Sequence, residues 1–465
     1  MLSTRKINGN VDLLAIHQSN PGRYPFLLES VASLSINSRF SILFAFPQDW
    51  LRLETYSQLN STVNLTERDD FFSALDQWFQ QLQIPNNEIN PNLPFTGGWF
   101  LYLGYETAKV VEPVLELPDK KLAPLPDAFA CRIPCAIIID KAEGSGYLLA
   151  EAEYEENLEI MAADIADMHP LEQNLCLAAD IKEEDPQRYL DAIKQTKQYI
   201  VDGDIFQANL SRAWQATLPE KCTSTDLYFQ LRKTNPAPFA GMFSLDEVAV
   251  ISSSPERLVS IKNNVVETRP IAGTRPRKRT TDGSIDEQAD QALLDELISH
   301  PKERAEHVML IDLERNDLGR IAKPGSVEVN ELMVLETYEH VHHIVSNVKA
   351  IKRDEVSPGE VIKAVFPGGT ITGCPKIRCM EIIAELEQTP RQAYTGSMGY
   401  LNRNGDMDLN ILIRTMIKSG SQLHIRAGGG IVADSNPEKE LAETRAKAKG
   451  MLNALNAYDS DKRRS

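Results

Sequence analysis

The stretch RAGGGIVADSNPEKELAET, residues 426 to 444, sets two kinds of local structure end to end. Its three glycines stand against apolar residues of strand type. Glycine inside such a pattern marks a bulge, a tight turn or a close approach of backbone to a ligand. Asn436 and Pro437 then supply an N-cap and a proline at the first helical position, where its missing N–H costs nothing. In the helix that follows, Leu441, Ala448, Leu452 and Leu455 form a buried stripe, while Glu440, Glu443 and Lys447 fall on another face at i, i+3 and i+7. That polar trio is either a solvated salt-bridge face or one wall of a site.

A second segment repeats the device. In HPKERAEHVMLIDLERNDLGR, residues 300 to 320, Pro301 opens a helix and places Glu303 and Glu306 at i, i+3 beside apolar Val308, Leu310 and Ile311. Exposure is again the plain reading. Two helices that each offer a glutamate pair near the N-terminus would equally suit one hard cation, because Mg²⁺ takes an octahedron of oxygens and keeps several waters. Lys447 would then bind an anion held also by the metal. FPGGTITGCPK, 366 to 376, is a second glycine cluster among β-type residues. YEHVHHIVS, 338 to 346, holds three histidines, at least two of which read as ordinary core or surface residues.

The strands come in hairpin-like groups rather than alternating singly with helices, which predicts a mixed α/β chain that is not doubly wound. Short apolar runs such as FSILFAF and CAIIID dominate residues 1–170. The polar segment KEEDPQRY, 182 to 189, reads as a boundary, with Asp185 and Pro186 opening a helix. A second unit is expected over 185–456, followed by a disordered tail at 457–465.

At 465 residues, 42% hydrophobic and 25% charged, the chain can bury a large core. A net charge of −17 works against nucleic acid or anionic membrane as the main partner. An anionic ligand would therefore need a locally inverted site. No run of about 18 apolar residues exists, and the N-terminus lacks the apolar core of a signal peptide, so a cytoplasmic location is expected. Cys131, Cys135, Cys176, Cys222, Cys374 and Cys379 lack paired CxxC spacing and read as free thiols.

SPERL, ETRPIAGTRPR, KERAEHVMLIDLERNDLGR, HVHHIVS, FPGGTITGCPKIRCMEIIAELE, DLNILIRT and RAGGGIVADSNPEKELAET together resemble the chorismate-utilising enzymes. That family includes anthranilate synthase component I, aminodeoxychorismate synthase component I, and the isochorismate and salicylate synthases. The match runs in order from about 185 to 455, and the N-terminal part is similar to that of the two aminating members. The resemblance implies an α+β fold of two large antiparallel β-sheets packed together with flanking helices, chorismate as substrate and Mg²⁺ as cofactor.

Carried over by position, it implies Glu306 and Glu443 as metal ligands, with Glu303 and Glu440 holding the metal's waters. The ring carboxylate of chorismate would sit near Lys447, and the enolpyruvyl carboxylate near Arg414, Tyr394 and the backbone of Gly428, Gly429 and Gly430. Glu256 matches the acid that protonates the departing C4 hydroxyl, and His343 and Thr370 match polar groups beside the substrate. Where isochorismate and salicylate synthases have a water-activating lysine, this chain has Gln207. Ammonia is then the implied nucleophile, supplied by a separate glutaminase amidotransferase subunit. YPFLLES resembles the tryptophan-binding segment of the aminating members, which would place L-tryptophan at Leu28, Glu29 and Ser30.

ETRPIAGTRPR, residues 267 to 277, separates the two aminating activities. Many aminodeoxychorismate synthases carry a lysine, in PIKGT, where this chain has Ala272; anthranilate synthases carry PIAGT. Ala272 by itself favours anthranilate synthase. FPGGTITGCPK, RAGGGI and LPFTGGWFLYLGYE instead resemble the aminodeoxychorismate group, including a branch with PIAGT. The expectation is therefore amination of chorismate to 4-amino-4-deoxychorismate, with anthranilate synthase as the alternative and a catalytically silent, tryptophan-sensing or glutaminase-activating subunit as a third reading. Without a lysine at 272, the expected routes are ammonia alone or another lysine, such as Lys278 or Lys302. Arg269, Arg275 and Arg277 read as strand-edge or surface charges.

Overall fold

The computed structural model describes residues 2–31, 39–66, 69–86, 90, 92–118, 121–174, 176–278, 280, 284–337 and 341–455. The tail at 457–465 lies outside them. Two large sheets, antiparallel in every named strand pair, form the body of the molecule.

The first sheet has twelve strands among the described residues. Leu2–Asn8 forms one edge, followed by Ser145–Glu151, Cys135–Asp140, Phe40–Ala45 and Phe26–Glu29. The order continues through Phe239–Leu245, Val248–Ser254, Thr415–Ser419, Gln422–Ile431, Gln207–Thr217 and Asp180–Glu183, with Gly373–Cys374 pairing off Gln207–Thr217. The second has eleven strands among the described residues and runs from Ile271–Pro276 through Val341–Ile351 to Gln58–Ser61. Strands from before residue 170 and after 185 are hydrogen-bonded to one another in both sheets, as Phe26–Glu29 is to Phe239–Leu245 and Gly98–Leu103 to Ser397–Asn402.

The sheets pack face to face through a core that interleaves Phe26, Phe44, Phe243 and Val250 of the first with Phe100, Phe129, Met398 and Tyr400 of the second. Phe26 and Phe100 stack across the interface with centroids 4.2 Å apart. Helices cover the outer faces. Pro437–Leu455 and Ser224–Thr234 pack on the first sheet, and Phe71–Leu82, Pro301–Gly319 and Pro358–Val365 on the second. Strands such as Cys135–Asp140 are therefore buried on both sides, which explains their unbroken apolar runs where a half-exposed strand would alternate. No helix among the described residues is long and apolar enough to cross a membrane.

The helix signals read from sequence are realised. Asp185 caps Pro186–Val201 by accepting from the Gln187 N–H, and Asn436 accepts from the Lys439 N–H at the start of Pro437–Leu455.

Two expectations are corrected. Cys176 and Cys222 are not free thiols but a disulfide, with Cα atoms 5.1 Å apart. Their separation of 46 residues carries no local spacing signal, and the fold brings them together. Of the strand-edge or surface reading of Arg269, Arg275 and Arg277, the strand-edge part holds, since they lie on or beside Ile271–Pro276 at the end of its sheet, and the surface part does not, since their side chains are only 15%, 21% and 18% exposed. They pair with Glu331 and Glu336, with Glu296 and Glu303, and with Asp290, tying the strand Ile271–Pro276 to the elements packed around it.

Candidate active site

The site is built on the glycine strand Gln422–Ile431, which pairs with Gln207–Thr217 so that Gly428, Gly429 and Gly430 lie opposite Ser211, Leu210 and Asn209. Neighbours on a strand face opposite ways, and each glycine meets a different part of the site. A Cβ on Gly428 would run into the Leu210 carbonyl and stand 2.8 Å from the Tyr394 hydroxyl. One on Gly430 would collide with the Gln207 amide and lie 3.4 Å from Glu306 Oε1. At Gly429 it would meet Lys447 Nζ at 3.4 Å, Glu443 at 3.7 Å and Glu440 at 3.8 Å. The missing side chains open a trough that polar groups from two helices and a neighbouring strand approach.

Lys447 is fixed at one wall, where Nζ donates to the Gly428 carbonyl at 2.9 Å and pairs with Glu443 at 2.8 Å. Gln207 is 3% exposed, and its Oε1 has no hydrogen-bond partner among the described residues. It is the register partner of Cys374, a residue given no role from sequence, which packs against the small cluster of Ala272, Leu310 and Leu313. Ala272 is 6% exposed, so its methyl fills space against the helix Pro301–Gly319. Lys278 is exposed, and the Lys302 side chain lies outside the described residues.

Glu256 sits where the strand Val248–Ser254 turns into Arg257–Lys262 and is 6% exposed. The Thr370 hydroxyl donates to its Oε1 at 2.7 Å. Burial pushes the Glu256 carboxyl up to about 7, with the Thr370 hydrogen bond and the Lys447 charge opposing. The result is a carboxylic acid that is half protonated near neutral pH and close to a cation.

Arg414 has the opposite character. Its guanidinium makes one long hydrogen bond, to Asn235 Oδ1 at 3.4 Å, and pairs with no carboxylate among the described residues. Its backbone has a positive φ of 53°, which disfavours a non-glycine residue by about 1 kcal/mol. Burial lowers its pKa, with the nearby Tyr394 hydroxyl opposing. An arginine held in strained backbone without an acidic partner is suited to an external carboxylate. Tyr394 is pushed up to about 12, chiefly by burial, and remains a hydroxyl donor. His343 lies opposite Thr274 on the adjoining strand and is 8% exposed. Burial lowers it to about 4, so near neutral pH it is an uncharged imidazole close to Arg414.

Three of the four glutamates expected at a metal approach the trough from two sides. Glu306 comes from Pro301–Gly319 against Gly430, and Glu440 and Glu443 come from Pro437–Leu455 against Gly429. Glu303 stands further along, against Gly273, and accepts from Arg275 Nη1 at 3.2 Å. Among the described residues no three acidic, histidine or cysteine side chains close onto one point to form a metal cage. The donor set still fits Mg²⁺ chemically, being all carboxylate oxygen beside backbone stripped of side chains.

Sequence reasoning missed the support beneath the site. Glu387 accepts from Arg391 at 2.6 Å, Arg426 at 2.7 Å and the Ser211 N–H at 2.8 Å, and Arg391 also donates to the Asn209 carbonyl at 2.6 Å. Burial alone would raise the Glu387 carboxyl, but the two arginines outweigh it and hold it below the usual range. This buried triad locks the Gln207–Thr217 and Gln422–Ile431 strands to the helix Lys376–Glu387 and to the turn carrying Tyr394.

A separate cavity of about 270 Å³ is lined by Leu28, Glu29 and Ser30 with Phe40, Met398 and Tyr400. Glu29 accepts from the Tyr228 hydroxyl at 2.8 Å, and Ser30 Oγ donates to the Pro238 carbonyl at 2.7 Å. Glu29, Arg39, Arg257 and Asp408 bring charge to the cavity's otherwise largely apolar lining.

A buried acid, an unpaired arginine and carboxylates around a glycine strand, set between two antiparallel sheets, define a class. The model for chorismate binding enzymes matches residues 39–453, and the chain belongs to that family of chorismate-utilising enzymes. It is 39% identical to aminodeoxychorismate synthase component 1 of Bacillus subtilis over 410 residues, covering 85% of this chain and 84% of the relative. It is 38% identical to anthranilate synthase component 1 of Pseudomonas aeruginosa over 456 residues, covering 92% and 90%. The solved structure of anthranilate synthase component I from Streptococcus pneumoniae superposes with a TM-score of 0.78 at 33% identity, covering 90% of this chain and 93% of that one.

Proposed function

We propose that the chain aminates chorismate to 4-amino-4-deoxychorismate, with Mg²⁺ as cofactor and ammonia released by a separate glutaminase subunit. The observation that supports amination over hydration is Gln207. A neutral amide in that position cannot deprotonate water, whereas ammonia needs no base to attack. The FPGGT and RAGGGI runs, and the relative named aminodeoxychorismate synthase, favour the 4-amino product.

Arg414, Tyr394 and the backbone N–H groups of the glycine strand orient the enolpyruvyl carboxylate, and Lys447 stands beside the ring carboxylate. Mg²⁺, held by Glu306 and Glu443 with Glu303 and Glu440 reached through its waters, would neutralise that ring carboxylate. Glu256 gives its proton to the C4 hydroxyl, which leaves as water. Thr370 fixes the acid, and the neutral His343 provides a polar contact without adding charge. Because Ala272 offers no amine and Lys278 is exposed, ammonia carries both displacements. It adds at C2 as the C4 hydroxyl departs, and a second ammonia attacks C4 and expels the first.

Ala272 favours a second reading, anthranilate synthase, in which ammonia stays at C2 and pyruvate is eliminated. We place L-tryptophan in the cavity at Leu28, Glu29 and Ser30 under either reading. The test is incubation of the chain with chorismate, Mg²⁺ and ammonium, followed by a lyase that makes 4-aminobenzoate. Conversion to 4-aminobenzoate supports the proposal, and anthranilate as the sole product overturns it.

A further inference from the structure

The helix Pro301–Gly319 carries a second buried carboxyl that the reading above leaves without a task. Glu303, Glu306, Leu310, Leu313, Glu314 and Asp317 recur at intervals of one to four residues along one side of it. Glu314 is 6% exposed. Its Oε1 lies 3.3 Å from where a Cβ would stand on Gly369, the first residue of the short turn Gly369–Ile371. The next residue in that turn, Thr370, is the one that donates to Glu256. Both carboxyls thus border a single turn of chain, and glycine at 369 leaves room for Glu314 to approach it.

The charged groups around the pair are few. Asp317, on the same helix, is matched by an ion pair with Lys376 from Lys376–Glu387. Lys447 acts on Glu256 from Pro437–Leu455. Glu314 has no basic partner among the described residues. Burial first, and then the charges of Asp317 and Glu256, raise its carboxyl, with Lys376 and the adjacent Thr268 hydroxyl opposing. A carboxyl in this setting stays protonated when Glu256 has just lost its proton.

We propose that Glu314 is a positioning residue that returns a proton to Glu256 across the Gly369–Thr370 turn after each departure of the C4 hydroxyl. The steps balance. Glu256 gives its proton to the leaving hydroxyl, which departs as water, and Glu314 passes its own proton to the Glu256 carboxylate. The proton shed by the new ammonium group on the ring returns the same way, through Glu256 to the Glu314 carboxylate. Net, one ammonia is consumed and one water released. The inference rests on the role given to Glu256 above.

The test uses the full chain with chorismate, Mg²⁺ and ammonium, comparing wild type, Glu314→Gln, Glu314→Asp and Glu256→Gln. Glu314→Gln keeps shape and burial but cannot carry a mobile proton. It is expected to lower kcat about tenfold with KM unchanged, to move the alkaline limb of the kcat profile toward lower pH, and to enlarge the solvent deuterium effect. Glu314→Asp, which keeps the carboxyl, should recover part of kcat and of the wild-type profile. If Glu314→Gln does not fold, the Asp variant is read in its place, its profile expected between wild type and loss. Wild-type pH and isotope behaviour in the folded Glu314 variant, alongside a crippled Glu256→Gln, overturns the proposal alone. Full turnover by Glu256→Gln overturns instead the reading on which it rests.

Discussion

Thr370 Oγ1 donates a 2.7 Å hydrogen bond to Glu256 Oε1. The bond ties down one oxygen of a buried carboxyl and leaves the other to carry the acidic proton. It joins the FPGGT turn to the SPERL turn, which are more than a hundred residues apart in the chain.

Activity should follow the protonation of Glu256. Burial raises this carboxyl from its ordinary 4.5 to about 7, so the acid form persists below that pH and is lost above it. kcat/KM is expected to fall as pH rises through about 7. The stability linkage has the same sign. A carboxyl raised in the folded state stabilises the fold fully at pH values below its unfolded pKa and loses that contribution as pH rises through its folded value. A flat kcat/KM profile across neutral pH contradicts the assignment.

Arg414→Gln should weaken chorismate binding without weakening the fold. No ion pair is lost, because Arg414 has no acidic partner among the described residues and only a 3.4 Å bond to Asn235. Charge-assisted hydrogen bonds contribute about 1.5–3 kcal/mol, so KM should rise roughly 10- to 100-fold while Tm stays near wild type. An unchanged KM with a large drop in Tm would make Arg414 structural.

Two of the three glycines should respond differently to alanine. At Gly429 the new methyl meets Lys447, Glu443 and Glu440 at 3.4 to 3.8 Å, ordinary contact distances. At Gly428 it runs into the Leu210 carbonyl, which cannot move without breaking the strand pair. Gly429→Ala is expected to fold with Tm near wild type, and Gly428→Ala to lose about 1–3 kcal/mol of stability, as read by denaturant melts. Equal stability of the two variants would refute the close packing of this strand.

Glu306→Gln and Glu443→Gln should each abolish activity at limiting Mg²⁺ while circular dichroism stays unchanged, since each removes a negative oxygen from the wall of the trough. Near wild-type turnover by either variant would remove that residue from the metal site.

Local signals in the sequence reached some of this and not the rest. Asp185, Asn436 and the helix-opening prolines were legible because a cap and its helix are neighbours in the chain. Glu256, Arg414 and Lys447 were legible through motif resemblance, and the structure brings Lys447 onto the Gly428 carbonyl of the glycine strand. Glu387 was not. Its i, i+4 neighbour Arg391 reads in sequence as an ordinary pair, whereas Ser211 and Arg426, which complete the buried triad, come from distant segments. The Cys176–Cys222 disulfide and the pairing of Phe26–Glu29 with Phe239–Leu245 are contacts of the same long-range kind. Glu314 was within reach, because extending the spacing of Glu303 and Glu306 along the helix arrives at it.

The most direct measurement is steady-state kinetics of Glu256→Gln with chorismate and ammonium. The amide keeps the size of the side chain and can still accept from Thr370, but it has no acidic proton for the C4 hydroxyl. A loss of roughly 10² to 10⁴-fold in kcat with KM little changed is the expected result. A loss confined to KM, with kcat intact, would show that Glu256 binds the substrate and that another group discharges the hydroxyl.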